Sequence, residues 1–222
     1  IYSRAIDGLI GGLVALICVS LLPRNPIRLA RQDSKALFAV FRATLSSVAA
    51  VLRAPNVELA DQALDEIRRT QPLLDNWTSS LESASAIAKV SPFYRWAQKE
   101  ISEQLQVAAG MDYATRNLRV LTRRVDYLVR DSKPRPQLAA VIGKIVIATE
   151  LLEQTSDDFS VTQKARKYLR KIPASLDPKT FDPPLTTSES AVLMQVRPLF
   201  IDLAIAAGIQ PSQARALLPY VD

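Results

Sequence analysis

Between Ala5 and Leu22 the chain carries a single charged residue, Asp7, in eighteen positions. Wound as a helix at about 1.5 Å per residue, that stretch is roughly 27 Å long, close to the hydrocarbon thickness of a bilayer. The following segment, PRNPIRLARQDSK, holds Arg24, Arg28, Arg31 and Lys35 against Asp33 alone. An apolar run that ends on a cluster of cations is the pattern of a membrane helix leaving the bilayer on the cytoplasmic side, with those four side chains at the lipid headgroups. The expectation is a membrane helix over residues 1–22 feeding a cytoplasmic region that begins at about residue 23.

The run is not built like a cleaved leader. Ala-x-Ala chemistry is absent near Leu22, and the cations follow the run instead of preceding it. A first residue of Ile instead of Met is what a fragment of a longer chain would show. Gly8, Gly11 and Gly12 each cost about 1 kcal/mol against Ala in a soluble helix. Inside a membrane, Gly8-x-x-x-Gly12 and Gly11-x-x-x-Ala15 let a second helix approach closely, which makes these glycines the candidates for membrane-helix packing. Asp7 then faces a pore or another helix, or lies at the interface. The competing reading is the buried core helix of a soluble protein.

Composition removes whole classes of chemistry. The 222 residues include no histidine, which takes away the commonest general base and most zinc sites. The one cysteine, Cys18, cannot form an internal disulfide and reads as a small apolar side chain. Six scattered glycines form neither a dinucleotide fingerprint nor a phosphate loop. The expectation is no enzyme, no cofactor and no metal. The net charge of +6 suits a domain against an anionic leaflet. Aromatics are scarce and no nucleic-acid reader motif occurs, so nucleic acid is not an expected partner.

Beyond the apolar run, helical spacing predominates and no hairpin turn stands out. Asn25-Pro26 is a cap followed by proline at the first helical position, opening a helix to about Arg53. Ala54-Pro55 breaks it. Asn56 caps the next, which runs to about Lys89 with a kink or break at Gln71-Pro72. Ser91-Pro92 opens the longest helix, to about Arg130. Its apolar residues recur by threes and fours, a coiled-coil-like seam that needs a long partner helix from this chain or a second copy. A turn at 131–136, an apolar helix over 138–152 and a basic helix over 157–172 follow, the last capped by Thr155 or Ser156. Residues 173–184, rich in proline, read as a linker or surface arm. Thr186-x-x-Glu189 is a capping box opening a further helix, which Pro198 bends and Gly208 ends. Pro211 to Leu218 reads as one more short helix. The fold class is therefore all-α: a membrane helix over 1–22, a helical bundle over 23–172, and a Pro-rich arm with C-terminal helices over 173–222.

The sharpest polar feature is RNLRVLTRRVDYLVR. Arg116, Arg119, Arg123 and Arg130 fall on one helix face, with Arg124 beside it and Asn117 within reach. Guanidinium forks suit carboxylates and phosphates, so the stripe is a candidate anion site. The alternative is pairing with acids of a neighbouring helix, for which Glu58, Asp61, Asp65 and Glu66 are available. Trp77, Phe93, Tyr94 and Trp96 frame an aromatic pocket or pack in the core. Tyr113, Tyr127 and Tyr168 read as packing with a wet hydroxyl.

The run RAIDGLIGGLVALICVSLLP with RNPIRLARQDSKALF, and the stretches TQPLLDNW, AKVSPFYR and DYATRNLRVLTRRV, resemble fusaric-acid-resistance-like proteins of actinobacterial type, also grouped with aromatic acid exporters. The likeness covers most of residues 1–172 and thins out after Pro173. It implies further membrane helices upstream, a bacterial inner-membrane location, assembly into a homo-oligomer, and export of small aromatic or other organic acids driven by the proton gradient. The present chain would be the C-terminal cytoplasmic part of such an exporter, serving assembly or gating. Set against this is a membrane-tethered helical interaction domain without transport.

Overall fold

From Pro26 onward the described residues form eight α-helices and no strand: α1 Pro26–Arg53, α2 Val57–Arg68, α3 Gln71–Val90, α4 Gln98–Val129, α5 Pro136–Gln154, α6 Thr162–Leu169, α7 Thr187–Ala206 and α8 Pro211–Ala216. This computed structural model describes residues 26–90, 97–155 and 159–221, and ahead of them Arg4, Asp7, Gly8, Ile10, Gly11, Gly12 and Val14. Those seven are helical and exposed; the rest of the expected membrane helix, and Ser91-Pro92, lie outside the described residues.

Local chemistry sets the helix ends. The Asn56 side chain accepts from the Leu59 amide at the start of α2. The expected break falls just ahead of Gln71-Pro72, at Arg69 and Thr70, and Pro72 lies in the first turn of α3. Pro136 sits in the first turn of α5, where its missing N–H has no partner to lose. Thr186 and Glu189 cap α7 reciprocally. Gly208 follows α7 at φ +79°, a left-handed conformation that favours glycine, and the Arg166 guanidinium fills the space a Cβ would need. One expected cap is different: the Thr155 hydroxyl donates back to the Leu152 carbonyl and closes α5 instead of opening the next helix. That next helix is also shorter than 157–172, a short 3-10 turn Phe159–Val161 leading into α6.

The bundle has two ends, and α2 and α3 run one after the other in the same direction, antiparallel to α4. At one end Ile27 of α1, Ala84 and Ala88 of α3, and Ala97 and Ile101 of α4 form a small apolar cluster. At the other, the Arg135 amide ahead of α5 donates to the Leu52 carbonyl near the end of α1. In the main core Leu37, Phe38, Phe41 and Leu45 of α1 meet Trp77 of α3 and Ile142 and Ile145 of α5. Phe38 and Trp77 pack as a tilted pair with centroids 6.1 Å apart, the preferred arrangement for two ring quadrupoles. Trp77 is therefore core; Phe93, Tyr94 and Trp96 lie outside the described residues. Among the described residues one helix near the N-terminus, Ile27–Arg53, is long and apolar enough to cross a membrane, and half of its most apolar window is buried in the bundle.

The seam of α4 finds its partner within the chain. Ile101, Ala108, Met111, Leu118, Leu121, Val125 and Leu128 are buried, and α7 runs antiparallel along the helix as its most extensive neighbour. The Pro-rich stretch is packed against the bundle. It forms two 3-10 turns, Pro173–Leu176 and Pro178–Thr180, and buries Pro173, Leu176 and Phe181. The change at residue 173 is one of composition, since Leu176, Phe181 and the apolar face of α7 belong to the same core cluster as α1 to α5.

Candidate functional site

The arginine face lies on the C-terminal half of α4, and its members have different partners. Arg116 takes Asp112 one turn back, with Nη2 donating to Oδ2 at 2.7 Å, and lies 6.0 Å over the Tyr113 ring. Arg130 repeats the arrangement fourteen residues on: Nη2 donates to Oδ1 of Asp126 at 3.0 Å, and the guanidinium lies 5.9 Å over Tyr127. Both guanidinium pKa values are pushed up, first by the carboxylate hydrogen bond and then by its charge. Arg130 also reaches Asp61 of α2, the one member of the expected acid set that pairs with the stripe; Asp65 pairs with Arg68 on its own helix.

Arg119 has a different task. Its Nε donates to the Ile67 carbonyl at 3.1 Å, and Nη2 donates to Thr70 Oγ1 and Gln71 Oε1. These acceptors sit at the C-terminal end of α2 and the α2–α3 turn, where carbonyls lack intrahelical donors and carry the negative end of the helix dipole. Asn117 turns toward α7, donating to Asp202 and accepting from Gln195 at 2.8 Å. Asp202 is a half-buried carboxylate that makes no ion pair among the described residues, and burial raises its pKa although the Asn117 bond opposes this.

Arg123 and Arg124 remain, exposed and making no ion pair or hydrogen bond among the described residues. With Tyr127 and Leu128 they form one wall of an open cleft of about 510 Å³, whose other wall is Ser188 and Ala191 in the first turns of α7. Two unpaired guanidinia beside the positive end of a 20-residue helix make a local excess of positive potential. Of the original stripe, Arg123 alone is in this cleft, and Arg124 is its companion. Tyr113 and Tyr127 are 60% and 75% exposed, so they are surface rings under arginines and not packing residues. The signal for that pairing is present as a repeat, Asp112-Tyr113-x-x-Arg116 and Asp126-Tyr127-x-x-Arg130.

Behind the cleft Arg135 holds the ends of three helices. Its guanidinium donates to Asp131, to Glu189 at 2.9 Å, and to the carbonyls of Leu128 and Lys133. The Arg135 bond brings the Asp131 carboxyl down to about 2.

The candidates near the apolar run divide similarly. Gly8, Gly11 and Gly12 are exposed, and a Cβ on any of them would meet nothing within 4 Å. Arg24 lies outside the described residues. Arg31 is committed to Glu100 of α4, with Nε to Oε1 at 3.1 Å. Arg28 and Lys35 also take part in interactions within the chain. Among the described residues no group of three or more Cys, Asp or Glu side chains is placed to hold a metal.

No model of a known protein family matches the chain, and no solved structure matches it. It is similar to an uncharacterized protein of Corynebacterium glutamicum, with 24% identity over 224 residues that take in 97% of this chain. The chain spans 57% of that protein's length.

Proposed function

We propose that the chain is the C-terminal, cytoplasmic part of a bacterial inner-membrane exporter of aromatic or other small organic acids, in which the bundle assembles protomers or gates the cytoplasmic mouth. The observation that supports the membrane part is the exposure of the described helical residues ahead of α1. Ile10 and Val14 are 56% and 51% exposed, and the three glycines meet no atom of the bundle. A core helix would be covered by its own chain, whereas an uncovered apolar helix needs a partner helix or lipid. The export reading rests on the family resemblance and on the Arg123–Arg124 cleft, whose positive potential concentrates organic anions near the domain.

The test is accumulation of a panel of aromatic carboxylic acids in cells with and without the full-length gene. Higher retention on deletion, reversed by the intact gene and sensitive to collapse of the proton gradient, supports export. Arg123→Gln with Arg124→Gln should then lower export at equal protein level, because neither side chain holds the bundle together. Equal retention across the panel favours the second reading, a tethered interaction domain, for which the exposed Tyr113 and Tyr127 are the motivating observation: arginine-backed tyrosines are common anchors of protein interfaces.

A further inference from the structure

The cations expected at the lipid headgroups are largely engaged elsewhere, yet the same end of the bundle carries others, brought together from three distant segments. That end is defined by Ile27 against Ala84, Ala88, Ala97 and Ile101, and by the Arg31–Glu100 pair. Lys89 closes α3 there, and Lys99 opens α4. Lys99 also lines one cleft with Glu103 of α4 and with Thr162 and Arg166 of α6, which places α6 beside the first turns of α4. The Arg166 Nε donates to the Ala207 carbonyl, fixing α6 against the end of α7. On α6 itself Lys164 and Lys167 are exposed, and the helix carries no acid, the nearest in sequence being Asp157, Asp158 and Asp177. None of Lys89, Lys99, Lys164 and Lys167 makes an ion pair or hydrogen bond among the described residues. Of the two acids near Lys99, Glu100 is held by Arg31, with Gln104 behind it, and Glu103 lines the cleft toward α6. Two large apolar side chains are exposed at the same end, Leu29 at 51% and Ile87 at 39%.

We propose that this end of the bundle rests on anionic lipid headgroups, with Lys89, Lys99, Lys164 and Lys167 at the phosphates and Leu29 and Ile87 at the acyl boundary. The inference rests on the reading of the apolar run as a membrane helix, because α1 begins at this end and the bundle is thereby delivered to the leaflet. Charge complementarity selects the occupant. Four unpaired ammonium groups around exposed aliphatic side chains match a surface that is anionic outside and apolar beneath. Lysine on a flexible stem suits diffuse phosphate charge, whereas fixed bidentate recognition would call for arginine. The arginine cleft lies toward the opposite end, beside the first turns of α7, and stays clear of the leaflet in this orientation.

The test uses the full chain in nanodiscs of phosphatidylcholine alone and of phosphatidylcholine with phosphatidylglycerol, reading backbone hydrogen exchange by segment. Exchange over 84–90, 97–103 and 162–169 should slow by about tenfold in the anionic discs, since each lysine adds to the attraction. High salt and the combined variant Lys89→Glu, Lys99→Glu, Lys164→Glu, Lys167→Glu should each remove the protection, while 124–131 exchanges alike in both discs. Equal exchange of the three segments in the two discs overturns the proposal. Flotation of the chain with phosphatidylcholine vesicles reads the membrane helix separately. If the chain does not float, that reading fails, and sedimentation with phosphatidylglycerol vesicles decides the lipid face: binding lost in the lysine variant supports it, and no binding overturns it.

Discussion

The long helix α4 has two very different flanks. Toward α7 it is closed: Gly110 sits so near α7 that a Cβ there would lie 2.7 Å from the Ala206 backbone, and Asn117 ties the helices through Asp202 and Gln195. Toward α3 it packs through Ile101 against Ala84 and Ala88, but surface grooves of about 520 Å³ and 280 Å³ open between the helices, lined in part by small and polar residues such as Ser79, Ser85, Ser102 and Ala109. The buried aromatic of α3, Trp77, packs on Phe38 of α1. One helix can therefore be a core element on one side and a loosely packed surface on the other. The difference arises from where a glycine permits backbone contact and where small polar side chains leave the gap unfilled.

Substitution at Gly110 should break the closed flank most severely. Gly110→Val drives a branched side chain into the Ala206 backbone and should cost about 3 kcal/mol or more, read as a fall in thermal midpoint. Ala109→Leu, one residue away but facing the open groove, should change stability by no more than about 0.5 kcal/mol. Equal melting of the two variants would falsify the contrast between flanks.

Arg135→Met comes next. It leaves Asp131 and Glu189 without their shared cation at the entrance to α7, and a loss of about 2–3 kcal/mol in urea unfolding is expected. The pH dependence has a defined sign. The Asp131 pKa is depressed in the fold, so its contribution is present above the ordinary value of 3.8 and disappears as pH falls through about 2. The gap between parent and Arg135→Met should therefore narrow in that acid window, and a gap constant from pH 5 to pH 2 would remove Asp131 from the explanation.

Arg119→Met should cost about 1 kcal/mol, the scale of hydrogen bonds to helix-end carbonyls, and hydrogen exchange should rise at the end of α2 before it rises in α7. The smallest effect has the opposite sign. Burial raises the folded-state pKa of Asp202, so stability is fullest below 3.8 and declines as pH rises through the raised value. Asp202→Asn keeps an acceptor for Asn117 and removes the ionisation, so it should melt slightly higher than the parent at pH 7 and alike at pH 3. A lower midpoint at pH 7 would mean that the charge itself holds the seam.

Helix ends were readable from residue types because caps are local. Asn56, Pro136, the Thr186–Glu189 box and Gly208 each act within a few positions of themselves. The all-α class followed from the same periodicity. Thr155 shows where locality is ambiguous: one hydroxyl lies within reach of the helix behind it and the helix ahead, and the Leu152 carbonyl takes it. The arginine face was readable as a face but not as a division of labour. Arg116 and Arg130 find acids four residues back on their own helix, which spacing alone could have revealed. Arg119 bonds to carbonyls of a helix end, and carbonyls leave no mark in a side-chain pattern. Which two arginines stay unpaired depends on where the first turn of α7 lands, and that is a property of the assembled bundle.

The Arg31–Glu100 bridge gives the bundle a mechanical character. It rivets the first turns of α1 to the start of a rod of 32 residues, about 48 Å long at 1.5 Å per residue. A load on the segment ahead of α1 is therefore shared by α1 and α4, and through Gly110 and Asn117 of α4 it reaches α7. The cleft of Arg123 and Arg124 lies at the far end of that path, between the two helices that carry it.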